Sequence, residues 1–309
     1  MVVAILDLGT NTFHLLIADM KRNGSWEKVL KERITVKLGQ GGIGSDLIAK
    51  APYKRGIKAL EKFHQEIKRI GVKKIFAFGT AALRNAKNGK EFRNEVKRKF
   101  GIDINFISGD EEAMFIYHGV KQALHNWNDT KLVMDIGGGS VEFIIADNKK
   151  ILWKKSYKLG AALLLDTFKP EDPLTKSDLR KLKSYISEQL IDLFDACKKY
   201  QPQQLVGSAG SFETFSSMIR YQFPGSGSHY GKTEHPILLD HFGQLYRKLI
   251  VSDKVQRNKM KGLIKMRIDM IVMAALLLKF VLDQSGIKSM KMSAYSLKEG
   301  VIVRKLKKF

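Results

Sequence analysis

Two short segments of the chain combine an aspartate with glycines and hydroxyl or amide residues in an order that suits phosphate chemistry. They are Asp7-Leu8-Gly9-Thr10-Asn11-Thr12 and Asp135-Ile136-Gly137-Gly138-Gly139-Ser140. Glycine allows the backbone to bend tightly and approach a ligand, while amide N–H groups and hydroxyls can surround a phosphate. Either segment alone is compatible with an ordinary hairpin turn. Together they predict a pair of phosphate-binding loops.

Carboxylates next to these loops could hold a hard cation. Asp7 ends the first β-rich run, where it can bind Mg²⁺ or its water shell. Asp135 and Glu142 flank the second loop, at a spacing that can bring both carboxylates to one cation. The arrangement is neither a Walker A loop nor a Rossmann fingerprint, because no Gly-Lys-Ser/Thr follows and no helix starts directly after the glycines.

The elements around the two loops repeat. Three β-rich runs with an Asp-hydrophobic-Gly turn after the first occur at 2–36 and again at 131–157. Apolar spacing predicts helices at 53–70, 90–99, 110–124, 175–199, 238–250, 266–284 and 297–307, and further strands at 75–78, 103–107 and 204–206. A duplicated α/β domain follows, and paired phosphate loops are typical of the actin/hexokinase/acetate-kinase superfamily.

We therefore expect an α/β protein of two ribonuclease-H-like domains with an interdomain cleft. The N-terminal domain is placed at 1–124 and the C-terminal domain at 125–296, because His125-Asn126-Trp127-Asn128-Asp129 breaks the preceding helix. The last helix, about 297–309, is expected to pack back onto the N-terminal domain.

The charge of the chain is strongly positive and unevenly distributed. It has 54 Lys+Arg against 31 Asp+Glu, a net charge of +23. The window 54–99 holds 15 basic and 4 acidic residues, and 247–309 holds 16 and 4. Such a field concentrates polyanions, so polyphosphate, a nucleotide or nucleic acid is a candidate partner. The alternative is that lysine-rich helices only keep the protein in solution.

Composition excludes several other classes. A single cysteine, Cys197, rules out an internal disulfide framework and cysteine-cluster zinc sites, and we expect it to be a buried residue on a helix. No signal peptide is evident at the start. The apolar stretch Met270 to Leu278 is too short to span a bilayer and predicts a buried helix. A cytoplasmic protein without membrane association is expected.

Four motifs in register resemble the exopolyphosphatase/guanosine pentaphosphate phosphohydrolase (Ppx/GppA) family. They are Asp7 to Ala18, Gly79 to Ala86, Ile107 to Glu112 and Val133 to Phe143, with weaker matches at Gly207 to Ser211, Arg267 to Leu278 and Ser293 to Gly300. The matches follow the family's order across nearly the whole chain. The resemblance implies a short form that holds only the core of the longer relatives.

The resemblance also implies roles for individual residues. Glu112 matches the glutamate that activates or orients water, although without the resemblance it is simply a carboxylate at a helix start. Arg84 matches a phosphate-contacting arginine. The implied metal ligands are Asp7, Asp135 and Glu142, with Mg²⁺ or alternatively Mn²⁺ as the cofactor. The implied phosphate contacts are Gly9, Thr10, Asn11, Arg84, Gly137, Gly138, Gly139, Ser140, Gly210 and Ser211.

Three departures from the family pattern leave substrate choice and nucleotide affinity open. Met114 stands where the family usually has an arginine. The family's Gly-Gly-Thr turn is Ala209-Gly210-Ser211 here. In the C-terminal motif, Ala294 replaces an aspartate and Ser296 replaces a glycine.

The favoured function is exopolyphosphatase, which releases orthophosphate from chain ends by metal-assisted attack of water activated by Glu112. Hydrolysis of guanosine pentaphosphate is the alternative within the same class. A kinase of the same superfamily and a polyphosphate-binding protein without activity are further alternatives. The sequence contains no nucleic-acid recognition motif, so nucleic acid is not an expected partner. A homodimer is left open.

Overall fold

A computed structural model describes residues 1–225 and 232–306 of the chain. The chain divides into two compact units, and the last helix belongs to the first of them. We call Met1–Gly119 together with this helix unit 1, and Val120–Ser296 unit 2. The expected helix end at residue 307 and the tail to 309 lie outside the described residues.

Unit 1 is built on a five-stranded sheet in the order β3-β2-β1-β4-β5. Strand β2 is antiparallel to both of its neighbours, β1 and β3, whereas β4 and β5 run parallel to β1. The strands are β1 (Val2–Leu8), β2 (Thr12–Met20), β3 (Trp26–Thr35), β4 (Lys74–Gly79) and β5 (Ile104–Phe106). The helices are α1 (Lys50–Ile70), α2 (Ala81–Asn85), α3 (Gly89–Phe100), α4 (Gly109–Ala123) and, from the end of the chain, α12 (Leu297–Leu306).

Unit 2 contains a six-stranded sheet in the order β10-β11-β9-β6-β7-β8. Its strands are β6 (Lys131–Ile136), β7 (Val141–Ala146), β8 (Ile151–Tyr157), β9 (Gln204–Ser208), β10 (Glu234–Ile237) and β11 (Met290–Ser293). Its helices are α5 (Ala161–Phe168), α6 (Lys176–Gln189), α7 (Ile191–Tyr200), α8 (Ala209–Gln222), α9 (Leu239–Ile250), α10 (Lys254–Asn258) and α11 (Ile271–Ser285).

The two sheets share one topology. Strands β6, β7, β8, β9 and β11 take the places and directions of β1, β2, β3, β4 and β5, and β10 is an antiparallel addition at the edge. Even the irregularity recurs at the same position, since the register shifts after Ile17 in β2 and after Ile145 in β7. The predicted pair of ribonuclease-H-like domains is confirmed, while the predicted cleft between them stays a prediction.

Each unit has its own hydrophobic core. In unit 1, α1 packs its apolar face on the sheet through residues such as Leu60 and Phe63, and it ends at Gly71 in the left-handed conformation that glycine favours. In unit 2, α11 is buried almost all round, which explains the continuous apolar stretch at 270–278. No helix among the described residues is long and apolar enough to cross a membrane.

The structure corrects the predicted elements at several points. The predicted helix at 175–199 is two helices, α6 and α7, that meet at Leu190. A capping box of Thr175 and Asp178 starts α6. Helices α2, α5, α8 and α10 and the short strands β10 and β11 were not predicted. Cys197 lies buried on α7 as expected, and burial raises the pKa of its thiol to about 11.

Candidate functional site

The parallel strands of unit 1 bring three chemistry-bearing segments to one edge of the sheet. Leu8 is paired with Gly79, and Gly79 with Phe106, so β1, β4 and β5 end side by side. Backbone bonds continue this alignment, because Thr80 N–H donates to Leu8 O and Ile107 N–H donates to Gly79 O. The first predicted phosphate loop, the short helix that carries Arg84 and the helix start that carries Glu112 all follow from these strand ends.

The first loop is a tight turn whose carbonyl groups are already bonded. Gly9 N–H donates to Thr12 O at 3.2 Å, and a Cβ on Gly9 would lie 3.0 Å from that oxygen. Thr10 O accepts from Gly39 N–H, and Asn11 O accepts from the amides of residues 36 and 37. The buried Nδ2 of Asn11 has no hydrogen-bond partner among the described residues. A buried amide donor is costly to leave unpaired, so this N–H group is suited to donate to an oxygen of a ligand.

Glu112 and Arg84 form a partly buried pair. Glu112 lies in the first turn of α4 and is 8% exposed, although its neighbour Glu111 is exposed. Arg84 Nη1 lies 3.3 Å from Glu112 Oε2 and donates to Ile107 O at 2.6 Å. The backbone carbonyl thus fixes the guanidinium next to the carboxylate, which gives the edge one buried base and one partly buried cation.

Unit 1 also contains a buried cation that the sequence did not reveal as a site residue. Lys298, at the start of α12, is 6% exposed, and its Nζ lies 3.8 Å from Asp7 Oδ2. The next residue, Glu299, is 2% exposed and lies 3.3 Å from Lys31 Nζ. Gly300 allows this close approach of α12, because a Cβ there would lie 1.7 Å from Phe115 O in α4.

The second loop, in unit 2, repeats the geometry of the first. Gly137 N–H donates to Ser140 O at 3.0 Å, and a Cβ on Gly137 would lie 3.0 Å from that oxygen. The carbonyl groups of Gly137 and Gly138 accept from the first amides of α5. Gly160 ends the strand-to-helix connection, and a Cβ there would lie 2.4 Å from the backbone of Gly138. The loop is therefore held against α5 by its carbonyl side.

A row of polar side chains crosses four strands of unit 2 on one face. Ser208 is paired with Asp135, Asp135 with Glu142, and Glu142 with Ser156. Ser208 Oγ donates to Asp135 Oδ2 at 2.6 Å, and Ser156 Oγ donates to Glu142 Oε1 at 2.7 Å. Asp135 is 6% and Glu142 1% exposed. Two adjacent buried carboxylates are thus held in place by hydroxyl groups.

Ser296 adds a third hydroxyl to this row. Its Oγ donates to Asp135 Oδ2 at 2.7 Å, so one carboxylate oxygen accepts from two serines. Ser296 stands where the family pattern has glycine. This departure therefore adds a direct contact with a predicted metal ligand and does not simply remove a turn residue.

The turn at Ala209-Gly210-Ser211 follows β9 at the same edge. Ser211 Oγ donates to Ile136 O at 3.3 Å, and Arg267 Nη1 donates to Ser211 Oγ at 3.3 Å. A Cβ on Gly210 would lie 1.8 Å from Arg267 Nη2, so a larger residue there would displace the Arg267 guanidinium. Ala209 has a φ of 62°, a conformation that costs a residue with a Cβ about 1 kcal/mol. Alanine is therefore strained where the family has glycine.

The donor set in unit 2 fits a magnesium ion. The described residues contain no group of three or more His, Cys, Asp or Glu side chains able to hold a metal by themselves. Mg²⁺ is commonly bound by one or two carboxylates together with waters and substrate phosphates. The adjacent, oxygen-rich pair of Asp135 and Glu142 meets that requirement, and no cysteine or histidine competes within the row.

Comparison with known proteins decides the family. The sequence profile of the Ppx/GppA phosphatase family matches residues 16–309. The chain belongs to the Ppx/GppA phosphatase family. It is similar to the crystal structure of an exopolyphosphatase from Cytophaga hutchinsonii, with 34% sequence identity and a TM-score of 0.96 over 100% of this chain and 98% of that one.

Two curated relatives show the breadth of the family. Exopolyphosphatase 1 of Mycobacterium tuberculosis is 24% identical over 312 residues, which are 98% of this chain and 88% of the relative. The guanosine-5'-triphosphate,3'-diphosphate pyrophosphatase of Aeromonas hydrophila is 27% identical over 303 residues, which are 97% of this chain and 58% of that relative. The membership confirms the predicted class, a phosphoanhydride hydrolase.

The structure gathers the predicted site residues into two groups. Unit 1 holds Asp7, Gly9, Thr10, Asn11, Arg84 and Glu112, and unit 2 holds Asp135, Glu142, Gly137 to Ser140, Gly210 and Ser211. Lys298, Ser208, Ser156 and Arg267 were missed. Ser208 and Ser156 could have been found from the strand pairing, because they lie in register with Asp135 and Glu142. Lys298 had no signal beyond its place in the C-terminal motif.

The hydroxyl of Ser208 should stabilise unit 2 through Asp135. Ser208 is fully buried, so Ser208→Ala leaves a buried carboxylate oxygen with one hydrogen bond fewer. In urea unfolding, the free energy of unfolding of Ser208→Ala should be about 2 kcal/mol lower than that of the wild-type protein. The control is Ser184→Ala, which removes an exposed hydroxyl that also donates to a carboxylate, at 3.1 Å in Ser184–Glu188. Ser184→Ala should change the free energy of unfolding by no more than about 0.5 kcal/mol. Equal decreases in the two variants would show that the buried bond to Asp135 stabilises the protein no more than an exposed serine–carboxylate bond does.

Proposed function

We propose that this protein is an exopolyphosphatase that hydrolyses the terminal phosphoanhydride bond of inorganic polyphosphate. The observation that carries the proposal is the buried Glu112 carboxylate beside Arg84, at the strand edge from which the first phosphate loop also follows. A carboxylate that can accept a proton from water, next to a cation that can neutralise phosphate charge, is the minimum equipment for hydrolysis of a phosphoanhydride.

In the proposed reaction, Glu112 orients a water molecule and takes a proton from it as the oxygen attacks the terminal phosphorus. The bond between that phosphorus and the bridging oxygen breaks, and the shortened chain leaves with the bridging oxygen. Arg84 neutralises charge on the transferred phosphoryl group. Because Ile107 O already fixes the Arg84 guanidinium, the cation needs little reorganisation during the reaction.

The two glycine loops are proposed to hold the phosphates. Their carbonyl groups bond to neighbouring backbone amides, which leaves N–H groups and hydroxyls as the natural contacts for an anion. The orphaned Nδ2 of Asn11 supports this role for the first loop. Ser211, held by Arg267, is proposed to add a phosphate contact in unit 2.

Asp135 and Glu142 are proposed to hold Mg²⁺, with Mn²⁺ as the alternative. When bound, the ion neutralises phosphate charge and helps to fix the reacting group. The serines at 156, 208 and 296 orient the two carboxylates. The role of Asp7 as a metal ligand stays a prediction, and within unit 1 Lys298 Nζ lies 3.8 Å from its Oδ2.

The charge of unit 1 favours a polymer as substrate. Helix α1 exposes Lys54, Lys58, Lys62 and Lys68, and none of these four forms an ion pair with another described residue. A series of free cations attracts a long polyanion more strongly than one small metabolite. The names of the relatives cover both polyphosphate and a guanosine nucleotide, so guanosine pentaphosphate is the alternative substrate.

Substrate preference can be measured directly with purified protein and Mg²⁺. Release of orthophosphate should be faster from long-chain polyphosphate than from guanosine pentaphosphate at equal concentrations of terminal phosphate. Raising the salt concentration should slow the reaction on polyphosphate, because the lysines act through a screened field. Release from the nucleotide alone would reject polyphosphate as substrate and support the alternative.

Glu112→Gln should abolish most turnover, because the amide cannot accept the proton from water. We expect kcat to fall by about 10²- to 10⁴-fold, with binding of polyphosphate retained. The matched control is Glu111→Gln, since Glu111 is exposed and its carboxylate only caps the helix through Ser108. The control should cost about 1 kcal/mol of stability and leave kcat within about twofold. A wild-type protein that binds polyphosphate without turnover would instead identify a binding protein.

The proposed metal site predicts a specific defect in Glu142→Gln. The Mg²⁺ concentration for half-maximal phosphate release should rise at least about tenfold. Binding of Mn²⁺ to the protein without substrate, followed by electron paramagnetic resonance, should weaken in parallel. Glu188→Gln, an exposed glutamate on α6, is the control and should change neither value. Unchanged Mn²⁺ binding in Glu142→Gln would show that Glu142 is not a ligand of the metal.

A further inference from the structure

Unit 2 contains a cavity that no part of the proposed hydrolysis uses. It has a volume of about 530 Å³, within the range of small-molecule sites. It lies among the last turn of α8, the second half of α9 and the segment around α10. Helix α8 begins at the Gly210–Ser211 turn, and Tyr221 lies ten residues further on, about 15 Å away at the rise of an α-helix. The cavity is therefore separate from the loops.

The lining of this cavity is basic without compensation. Three exposed lysines, Lys248, Lys259 and Lys261, line it, and no aspartate or glutamate is found among the described residues of the lining. None of the three lysines forms an ion pair with another described residue. The nearest acid in sequence, Asp253, is bonded to the start of α10 through Gln256 N–H. Three uncompensated ammonium groups at one cavity favour an anion with several charges.

A second cavity, in unit 1, shows that this pattern is not a general result of lysine richness. That cavity has about 620 Å³ and is lined by four lysines, but also by Glu61, Glu91 and Glu95. Glu95 lies 2.7 Å from Lys99 Nζ and accepts a hydrogen bond from Tyr53. The lining of that cavity therefore mixes three carboxylates with its four lysines, whereas the described lining of the unit 2 cavity contains no carboxylate.

The lining also contains apolar and aromatic residues, together with the neutral polar residues Gln222, Ser252 and Gln256. Met218 and Leu245 are 3% and 1% exposed and line the cavity together with the half-buried Met260. Tyr221 is 56% exposed, with the Arg220 guanidinium 5.6 Å from its ring centroid. Methionine and tyrosine offer polarisable surface for a flat ring. An inorganic polyphosphate has no apolar face to cover these residues, so a ligand that carries both a ring and phosphates matches this lining better.

We infer that this cavity binds a nucleoside polyphosphate, with the base on Met218, Met260 and Tyr221 and the phosphates on Lys248, Lys259 and Lys261. The inference is independent of the substrate of the hydrolytic site. A nucleotide held at the far end of α8 contacts the same helix that begins at Gly210 and Ser211. Because the cavity is separate from the loops proposed for hydrolysis, the nucleotide is a ligand that is bound there without being hydrolysed.

Calorimetric titration of ATP into Glu112→Gln protein tests the inference without turnover. We expect a site that is lost, or weakened at least about tenfold in Kd, in Lys248→Ala/Lys259→Ala/Lys261→Ala, because charge-assisted contacts to phosphate disappear. Lys176→Ala/Lys181→Ala/Lys183→Ala removes three exposed lysines of α6, away from this cavity, and should bind ATP as before. Equal loss in both triple variants, or no ATP binding in the parent protein, would overturn the inference.

Two further measurements separate the base from the phosphates and locate the site. Inorganic tripolyphosphate should bind at least about tenfold more weakly than ATP, since it cannot cover the apolar floor. Equal affinity would reject a nucleotide site in favour of a simple polyanion site. Irradiation with 8-azido-ATP should label a peptide that contains Tyr221 or Met260. Labelling confined to peptides of the two glycine loops would place the nucleotide elsewhere and overturn the inference.

Discussion

The closure of each glycine loop by one backbone hydrogen bond is the constraint from which the site follows. Gly9 N–H bonds to Thr12 O, and Gly137 N–H bonds to Ser140 O, at positions where a Cβ would crowd the acceptor oxygen. This closure fixes the register of the strands on either side. Asp135 must then lie opposite Glu142, because their strands leave the loop together. A slip of one residue would turn one of the carboxylates to the other face of the sheet.

The hydroxyl and amide contacts around the carboxylates give the loops their rigidity. In unit 2, serines from three different segments bond to Asp135 and Glu142, so the position of each acid depends on correct pairing of β6 with β9 and of β7 with β8. In unit 1 a helix from the end of the chain supplies Lys298 next to Asp7. The local sequence therefore determines the conformation of each loop, whereas residues distant in sequence orient the carboxylates next to it.

This difference between local and long-range contacts explains which features could be predicted from the sequence alone. The loops, the duplicated sheet and the positions of Glu112 and Arg84 follow from local motifs, because glycine turns and helix starts are encoded within a few residues. Strands β10 and β11 were missed because four-residue strands give little periodic signal. The break at Leu190 was missed because apolar spacing continues across it. Lys298 and Arg267 could not be foreseen as site residues, since only long-range packing brings them to the loops.

The shared register of the two sheets also shows where the two units differ. His14 occupies in unit 1 the place that Glu142 occupies in unit 2, since each lies opposite the loop aspartate. Unit 2 thus carries two acids at these paired positions, whereas unit 1 carries an acid and an imidazole there and a Glu–Arg pair on the adjacent helices. One strand topology therefore presents different chemical groups at equivalent positions in the two units.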